Sequence, residues 1–286
     1  MSKVRKITDV ITPKLVMEGA GVMLYRSISP SQQNPFDPFL LFDHFAFNDP
    51  TEGVNPGFPN HPHRGIETVT YIPEGTVRRR DSLGKKGIIG PGEVQWMSAG
   101  SGILHEEMPF ADESGNIHGF QLWVNLPAAQ KMSRYAYQDV SSAKLPLTDL
   151  GDYAVKVIAG EFNGVKGPVT DIHITPTYMD VFLKPGKTFS FHAPETHTVG
   201  LYLLSGTVEI AGQVMENAAL LKLEDGDLVE VKNTGAEEAR FIFISGKRIN
   251  EPIFPYGPFV MNTMQEIQQT IMDLRSGNFI RDHAAK

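Results

Sequence analysis

Short apolar stretches alternate with turn residues along nearly the whole chain. Val, Ile, Thr, Tyr and Phe crowd the segments 67–72, 199–204, 228–232 and 240–245. Between such segments lie Asn55-Pro56-Gly57, Glu74-Gly75, Leu83-Gly84, Gly90-Pro91-Gly92 and Glu224-Asp225-Gly226-Asp227. Short strands bounded by turns at this spacing predict an all-β sandwich or barrel. Helical signals are few. Segment 128–137 is a candidate for a short helix. Segment 263–275 is the clearest one, with Asn262 or Thr263 as cap, Glu266 in the first turn and Gly277 beyond the end.

The pattern also repeats. Tyr71-Ile72-Pro73-Glu74-Gly75-Thr76-Val77 returns 131 residues later as Tyr202-Leu203-Leu204-Ser205-Gly206-Thr207-Val208. Pro91-Gly92-Glu93-Val94 matches Asp225-Gly226-Asp227-Leu228 at an offset of 134. The chain therefore reads as two copies of one β-barrel, 1–135 and 136–286, the second followed by the helix. The seam is expected between about 130 and 150.

Composition narrows the classes. A chain of 286 residues suits one large domain or two ordinary ones. Its 41% hydrophobic and 21% charged residues are those of a soluble globular protein. A net charge of −7 argues against direct nucleic-acid binding. Without cysteine there is no disulfide and no thiolate-held zinc or iron–sulfur centre. No apolar run is long enough to span a membrane. The start, Met1-Ser2-Lys3-Val4-Arg5-Lys6, is not followed by an apolar leader core. A cytoplasmic protein is expected. A monomer is expected too, because two barrels can cover each other's apolar faces.

With thiolates excluded, any metal must be held by His and carboxylates. Two phrases supply them, His61-Pro62-His63 and His105-Glu106-Glu107. Each places two donors at i and i+2, which on a strand point to one face. Two such strands bring three imidazoles and one carboxylate to a point, with positions left open for a substrate. The repeat carries His61 and His63 onto His192 and Pro194. It carries His105 and Glu107 onto Ala239 and Phe241, or onto Arg240 and Ile242 one residue out of register. The second copy keeps at most one of four donors, so a single metal site in the first copy is expected.

The stretch from Gly57 to Gly75 resembles the first cupin motif, and Gly90-Pro91-Gly92 followed by His105 the second. Longer phrases resemble the pirin family more narrowly. They include Phe42-Asp43-His44-Phe45, His61-Pro62-His63-Arg64-Gly65 and Gln95-Trp96-Met97-Ser98-Ala99-Gly100. Gly102 to Pro109, Gly119 to Asn125, Asn250-Glu251-Pro252 and Tyr256 to Asn262 belong with them. The resemblance implies a bicupin with iron in the N-terminal barrel, held by the residues that match the family's ligands: His61, His63, His105 and Glu107. Members are described as quercetin 2,3-dioxygenases, as nuclear cofactors of transcription regulators, or as partners of a metabolic enzyme. The family thus leaves function open.

Several residues are ambiguous. Glu67 is a ligand in the general cupin pattern, whereas the pirin pattern takes its carboxylate from Glu107. Strand parity favours Glu67 facing inward with His61 and His63, and a supporting role is expected. Glu106 should point away from the metal by alternation. His44, His118, His192 and His197 are expected to be hydrogen-bonded structural residues. Trp96, Phe42, Phe45, Phe47, Trp123 and Gln121 could shape an aromatic pocket or fill a core. Arg78-Arg79-Arg80 with Lys85 and Lys86 is the only dense basic run, read as a solvated strand end and loop rather than a docking site.

Two functions follow. The first is a dioxygenase that binds O2 and a flavonol-like substrate at Fe(II), with Glu107 as base. Mn, Co, Ni, Cu or Zn would suit the same donors. The second is a metal- or redox-responsive module read by a protein partner.

Overall fold

The computed structural model describes residues 2–47, 57–111, 113 and 115–281. Two compact units emerge. One holds residues 14–142 and 249–286, and the other residues 1–13 and 143–248. The crossing near 142 falls inside the expected seam, but the ends of the chain are exchanged relative to the linear 1–135 and 136–286 division.

Long-range pairing explains the exchange. Strand Lys6–Ile11 adds to the edge of the second unit's large sheet, with Lys6 opposite Glu224 and Ile11 opposite Leu220. Arg5, 1% exposed, fixes this start by donating to the carbonyls of Leu223 and Pro194 at 2.9 and 2.7 Å. At the other end, helix α1 (Met264–Ser276) returns to the first unit. Asp273 accepts from the buried Arg64 guanidinium at 2.7 Å, and Arg64 also donates to Ser101 O and Phe279 O. A buried ion pair of this kind is costly to break from one side. The helix begins as expected, with Thr263 and Glu266 in a reciprocal capping box, and ends at Gly277 in the left-handed region.

Each unit is built on a pair of antiparallel sheets with one additional two-stranded ribbon, so the two-barrel expectation holds in architecture, although neither pair closes into a continuous barrel. The first unit has a seven-stranded sheet in the order Ala136–Val140, Glu93–Ser98, Ile66–Glu74, Ile117–Asn125, Phe39–Phe47, Val22–Ile28 and Lys14–Glu18. Its second sheet runs Phe58–His63, Ile103–Phe110, Thr76–Asp81 and Lys86–Ile89. The second unit repeats the plan. Lys6–Ile11 is followed by Ala219–Glu224, His197–Ser205, Ala239–Lys247, Thr177–Leu183, Tyr153–Ala159 and Thr148–Asp149. Its smaller sheet holds Thr188–His192, Leu228–Asn233, Val208–Ile210 and Gln213–Met215.

Matching strand orders corrects half of the sequence repeat. Ile72 pairs with Glu93, and its counterpart Leu203 pairs with Ala219. The turns at 91–94 and 225–228 therefore precede different strands. Paired across from His61 is His105, and across from His192 is Leu228. Phe58 faces Glu107, and its counterpart Phe189 faces Val231. The four counterparts in the second unit are thus His192, Pro194, Leu228 and Val231, which leaves one possible donor, on an exposed residue.

The expected helix at 128–137 shrinks to one 3-10 turn, Ala128–Gln130, followed by strand Ala136–Val140. Lys131 ends the turn. Its side chain, 1% exposed, is drawn inward to Gly65 O, Asn125 Oδ1 and Val260 O at 2.8, 2.6 and 2.8 Å. That tether ties the 3-10 turn to the loop after the histidine strand.

Candidate metal centre and its cavity

His61 and His63 stand on one face of their strand, as the i, i+2 spacing requires. His105 lies directly opposite His61, and Ile103 opposite His63. The Nε2 atoms of His61 and His63 are 3.0 Å apart, and the three imidazoles present donor atoms all within 4.8 Å of one another. A common ion with bonds of roughly 2.1 Å at right angles would hold two nitrogens roughly 3.0 Å apart.

The other ring nitrogens are spoken for. His61 Nδ1 is 2.9 Å from Pro59 O, and His63 Nδ1 is 3.3 Å from Pro258 O. Donation there leaves each Nε2 with its lone pair toward the centre. Burial, aided by neighbouring His61, pushes His63 down to about 3, and burial with His63, His61 and Arg79 lowers His105 well below the ordinary range. Both are neutral at physiological pH, the state a metal requires. His105 Nε2 is buried and has no hydrogen-bond partner among the described residues. An unsatisfied buried nitrogen beside two converging ones fits a cation better than a packed core.

Glu107 stands next to this group rather than within its tightest shell. Its Oε2 is 3.9 Å from His105 Nε2. A register shift between His105 and Glu107 separates them from the simple alternation. Burial raises the Glu107 carboxyl, opposed by His61, Thr70 and Arg79. Thr70 Oγ is 2.9 Å from Glu107 Oε1 and 2.7 Å from Gln121 Oε1. One hydroxyl carries one hydrogen. Gln121 turned to present its amide N–H to Thr70 lets Thr70 donate to Glu107.

Beside the donors lies a cavity of about 520 Å³. His61, His63, Thr70, Glu107 and Gln121 line one part of it, with apolar walls that include Leu41, Phe45, Phe58 and Trp123. The Trp123 ring meets His63 edge-on at 5.1 Å. Glu18, Arg26 and Asp43 also face it. Glu18 and Arg26 carried no signal in the sequence, being ordinary charges on two strands, and Asp43 stood out only as a member of the phrase Phe42-Asp43-His44-Phe45.

Other candidates fall elsewhere. The Glu67 carboxylate accepts from Trp96 Nε1 at 3.1 Å, and neither residue lines the cavity. The turn at Gly65 breaks the parity that would have carried Glu67 inward. Gly65 has φ +78, and an added Cβ would stand 2.2 Å from Val260 O. Glu106 turns outward to an ion pair with Arg80. His44 stacks on Phe120, His118 packs beside both, and His197 meets Ser245 Oγ. Phe42 is core, and the side chain of Phe47 lies outside the described residues. Within the basic run, Arg79 pairs with Asp139, and Arg78 covers the Phe110 ring.

Known proteins share this architecture. A Pirin-like protein of Caulobacter vibrioides is 40% identical over 278 residues, covering 96% of this chain and 99% of the relative. Human Pirin is 41% identical over 282 residues, with coverage of 96% and 94%. The crystal structure of quercetin 2,3-dioxygenase from Acinetobacter baumannii superimposes with a TM-score of 0.88 at 34% identity, over 97% of this chain and 99% of that one. Residues 21–124 match the Pirin family and residues 178–280 the Pirin C-terminal cupin domain. With two cupin domains and a histidine triad suited to a metal, this chain belongs to the pirin family.

Proposed function

We propose that the chain is a metal-dependent dioxygenase that opens the ring of a quercetin-type flavonol with release of carbon monoxide. The observation that carries this reading is the histidine triad opening, beside Glu107, onto an apolar-walled cavity of about 520 Å³. The likeness to the Acinetobacter quercetin 2,3-dioxygenase supports it.

His61, His63 and His105, with Glu107, would hold one divalent ion, for which Fe(II) is proposed. Ni, Zn, Cu, Mn or Co would suit the same nitrogen and oxygen donors. Such an ion supplies Lewis-acid stabilisation of a deprotonated hydroxyl and a place where substrate and O2 meet.

The chain's own residues do the rest. Glu107 accepts the proton of the substrate hydroxyl, a role suited to a buried carboxylate whose pKa lies above the ordinary range. Thr70 holds Oε1 of Glu107, leaving Oε2 on the His105 side to take that proton. Trp123 and Phe45 form part of the apolar wall that holds the ring system and keeps water from the reacting carbons.

The test is carbon monoxide release from iron-loaded protein mixed with quercetin and O2, beside a Glu107→Gln variant. Release that falls in the variant by about 10²-fold or more, with iron content retained in part, is expected. Full activity in Glu107→Gln would remove the base assignment. No release from iron-loaded wild-type protein would move the assignment to a metal-responsive binding module.

A further inference from the structure

We propose that Glu18, Arg26 and Asp43 form a distal recognition end of the cavity, which binds the hydroxyl groups of a neutral polyphenol ring and turns away anionic ones. This rests on reading the cavity as the substrate site.

Arg26 and Asp43 belong to one row, and Glu18 reaches Arg26 from the neighbouring strand. Arg26 is paired with Asp43, Asp43 with Gln121, and Gln121 with Thr70, across four adjacent strands. At about 4.8 Å between strands the row spans roughly 14 Å. Glu107 lies at one end and Arg26 at the other, so a ligand of two or three rings can touch both.

The far end is built rather than incidental. Arg26 grips Asp43 through two parallel hydrogen bonds of 2.8 and 2.7 Å and donates to Glu18 at 2.6 Å. The Asp43 side chain is only 5% exposed and that of Arg26 20%. These contacts use three of the five guanidinium N–H groups, leaving two for a ligand. Each carboxylate also keeps lone pairs able to accept from a phenol. Two carboxylates against one guanidinium leave one net negative charge, which repels an anion. The mutual bonds fix the groups in advance, so little ordering is needed on binding.

The fold alone does not ask for these charges. The same row in the second unit reads Val157, Met179, Phe243 and Leu201, in matching pairs. That copy closes with apolar side chains throughout. Burying an ion pair where hydrophobic residues would serve is neutral or costly for stability, so the trio needs a reason in the cavity.

The experiment is a binding titration on zinc-loaded full-length protein, read by tryptophan fluorescence, since Trp123 lines the cavity. The probes are quercetin and galangin, which share a flavonol core but differ in that galangin lacks the pendant-ring hydroxyls. Quercetin is expected to bind about tenfold more tightly, as two hydrogen bonds would give. Arg26→Lys, which keeps charge but loses the fork, should bring the ratio to about one to three. Glu18→Gln should lower it too, and Glu18 is exposed enough that this variant decides the matter if Arg26→Lys does not fold. Equal binding of both flavonols by the wild type, or a ratio that neither variant moves, overturns this inference and leaves the proposed function standing. Binding of neither flavonol overturns both.

Discussion

Both units run the same strand order, yet the centre of the large sheet is polar in one and apolar in the other. Arg26, Asp43, Gln121, Thr70 and Gln95 cross the first unit. Val157, Met179, Phe243, Leu201 and Leu221 cross the second at matching places. Where the row is polar, a cavity and a histidine triad lie beside it. Where it is apolar, Phe189 stacks on Phe162 at 5.1 Å and meets Phe241 and Phe243 edge-on or tilted. One copy fills its interior with packed side chains, and the other leaves a cavity beside a candidate donor set. The lesson is that a two-sheet scaffold tolerates either, provided the strand pairing is kept.

The strongest way to break the comparison is to exchange the roles of the histidines. His105→Ala should lower metal affinity by on the order of a hundredfold or more, measured as metal retained per chain after dialysis. His192→Ala, at the second unit's counterpart of His61, should leave retention unchanged. Equal losses would mean that the second unit also holds metal.

Next in size, Phe189→Ala should cost about 3–5 kcal/mol, the range for removing a buried aromatic from a packed core. The readout is the denaturant midpoint of the second unit's transition, with metal content unaffected. A cost below about 1 kcal/mol would show that the aromatic cluster is looser than its contacts imply.

The smallest effect sharpens the first unit. Burial pushes the Lys131 ammonium down to about 7, against the raising fields of Glu251, Glu266 and Asp37. Between pH 7 and the ordinary lysine range the unfolded chain binds a proton that the folded one does not, so stability rises with pH across that window. A gain of about 1–3 kcal/mol from pH 7 to 9 is expected in unfolding experiments. Lys131→Met should remove the slope while lowering stability overall, since Gly65 O and Val260 O lose their donor. An unchanged slope would assign the titration elsewhere.

Local features were legible in the sequence, and distant ones were not. The i, i+2 histidines, the strands at 67–72 and 240–245, and the Thr263–Glu266 cap all act within a few residues of one another. The exchange of the chain ends rests on Lys6 finding Glu224 and Arg64 finding Asp273, and no local pattern encodes such pairings. Arg5 reads as part of a basic start, yet it is buried against three carbonyls. The helix expected at 128–137 failed because three oxygens claim Lys131, an override of local propensity by tertiary contacts. The second half of the repeat was misaligned because two Gly-containing turns look alike although they precede different strands. Even so, both alignments leave the second unit without a donor set.

The exchanged ends also set an order of events during synthesis. When residue 142 leaves the ribosome, the histidine unit still lacks Asp273, which partners Arg64, and the carbonyls of Pro258 and Val260. Those arrive only after the whole of 143–248 has been made. The second unit, by contrast, has its first strand waiting from the beginning. A nascent chain can therefore complete the aromatic-filled unit before the unit with the histidine triad, and the cavity acquires its wall at Pro255, Gly257 and Pro258 only after residues 143–248 have been made.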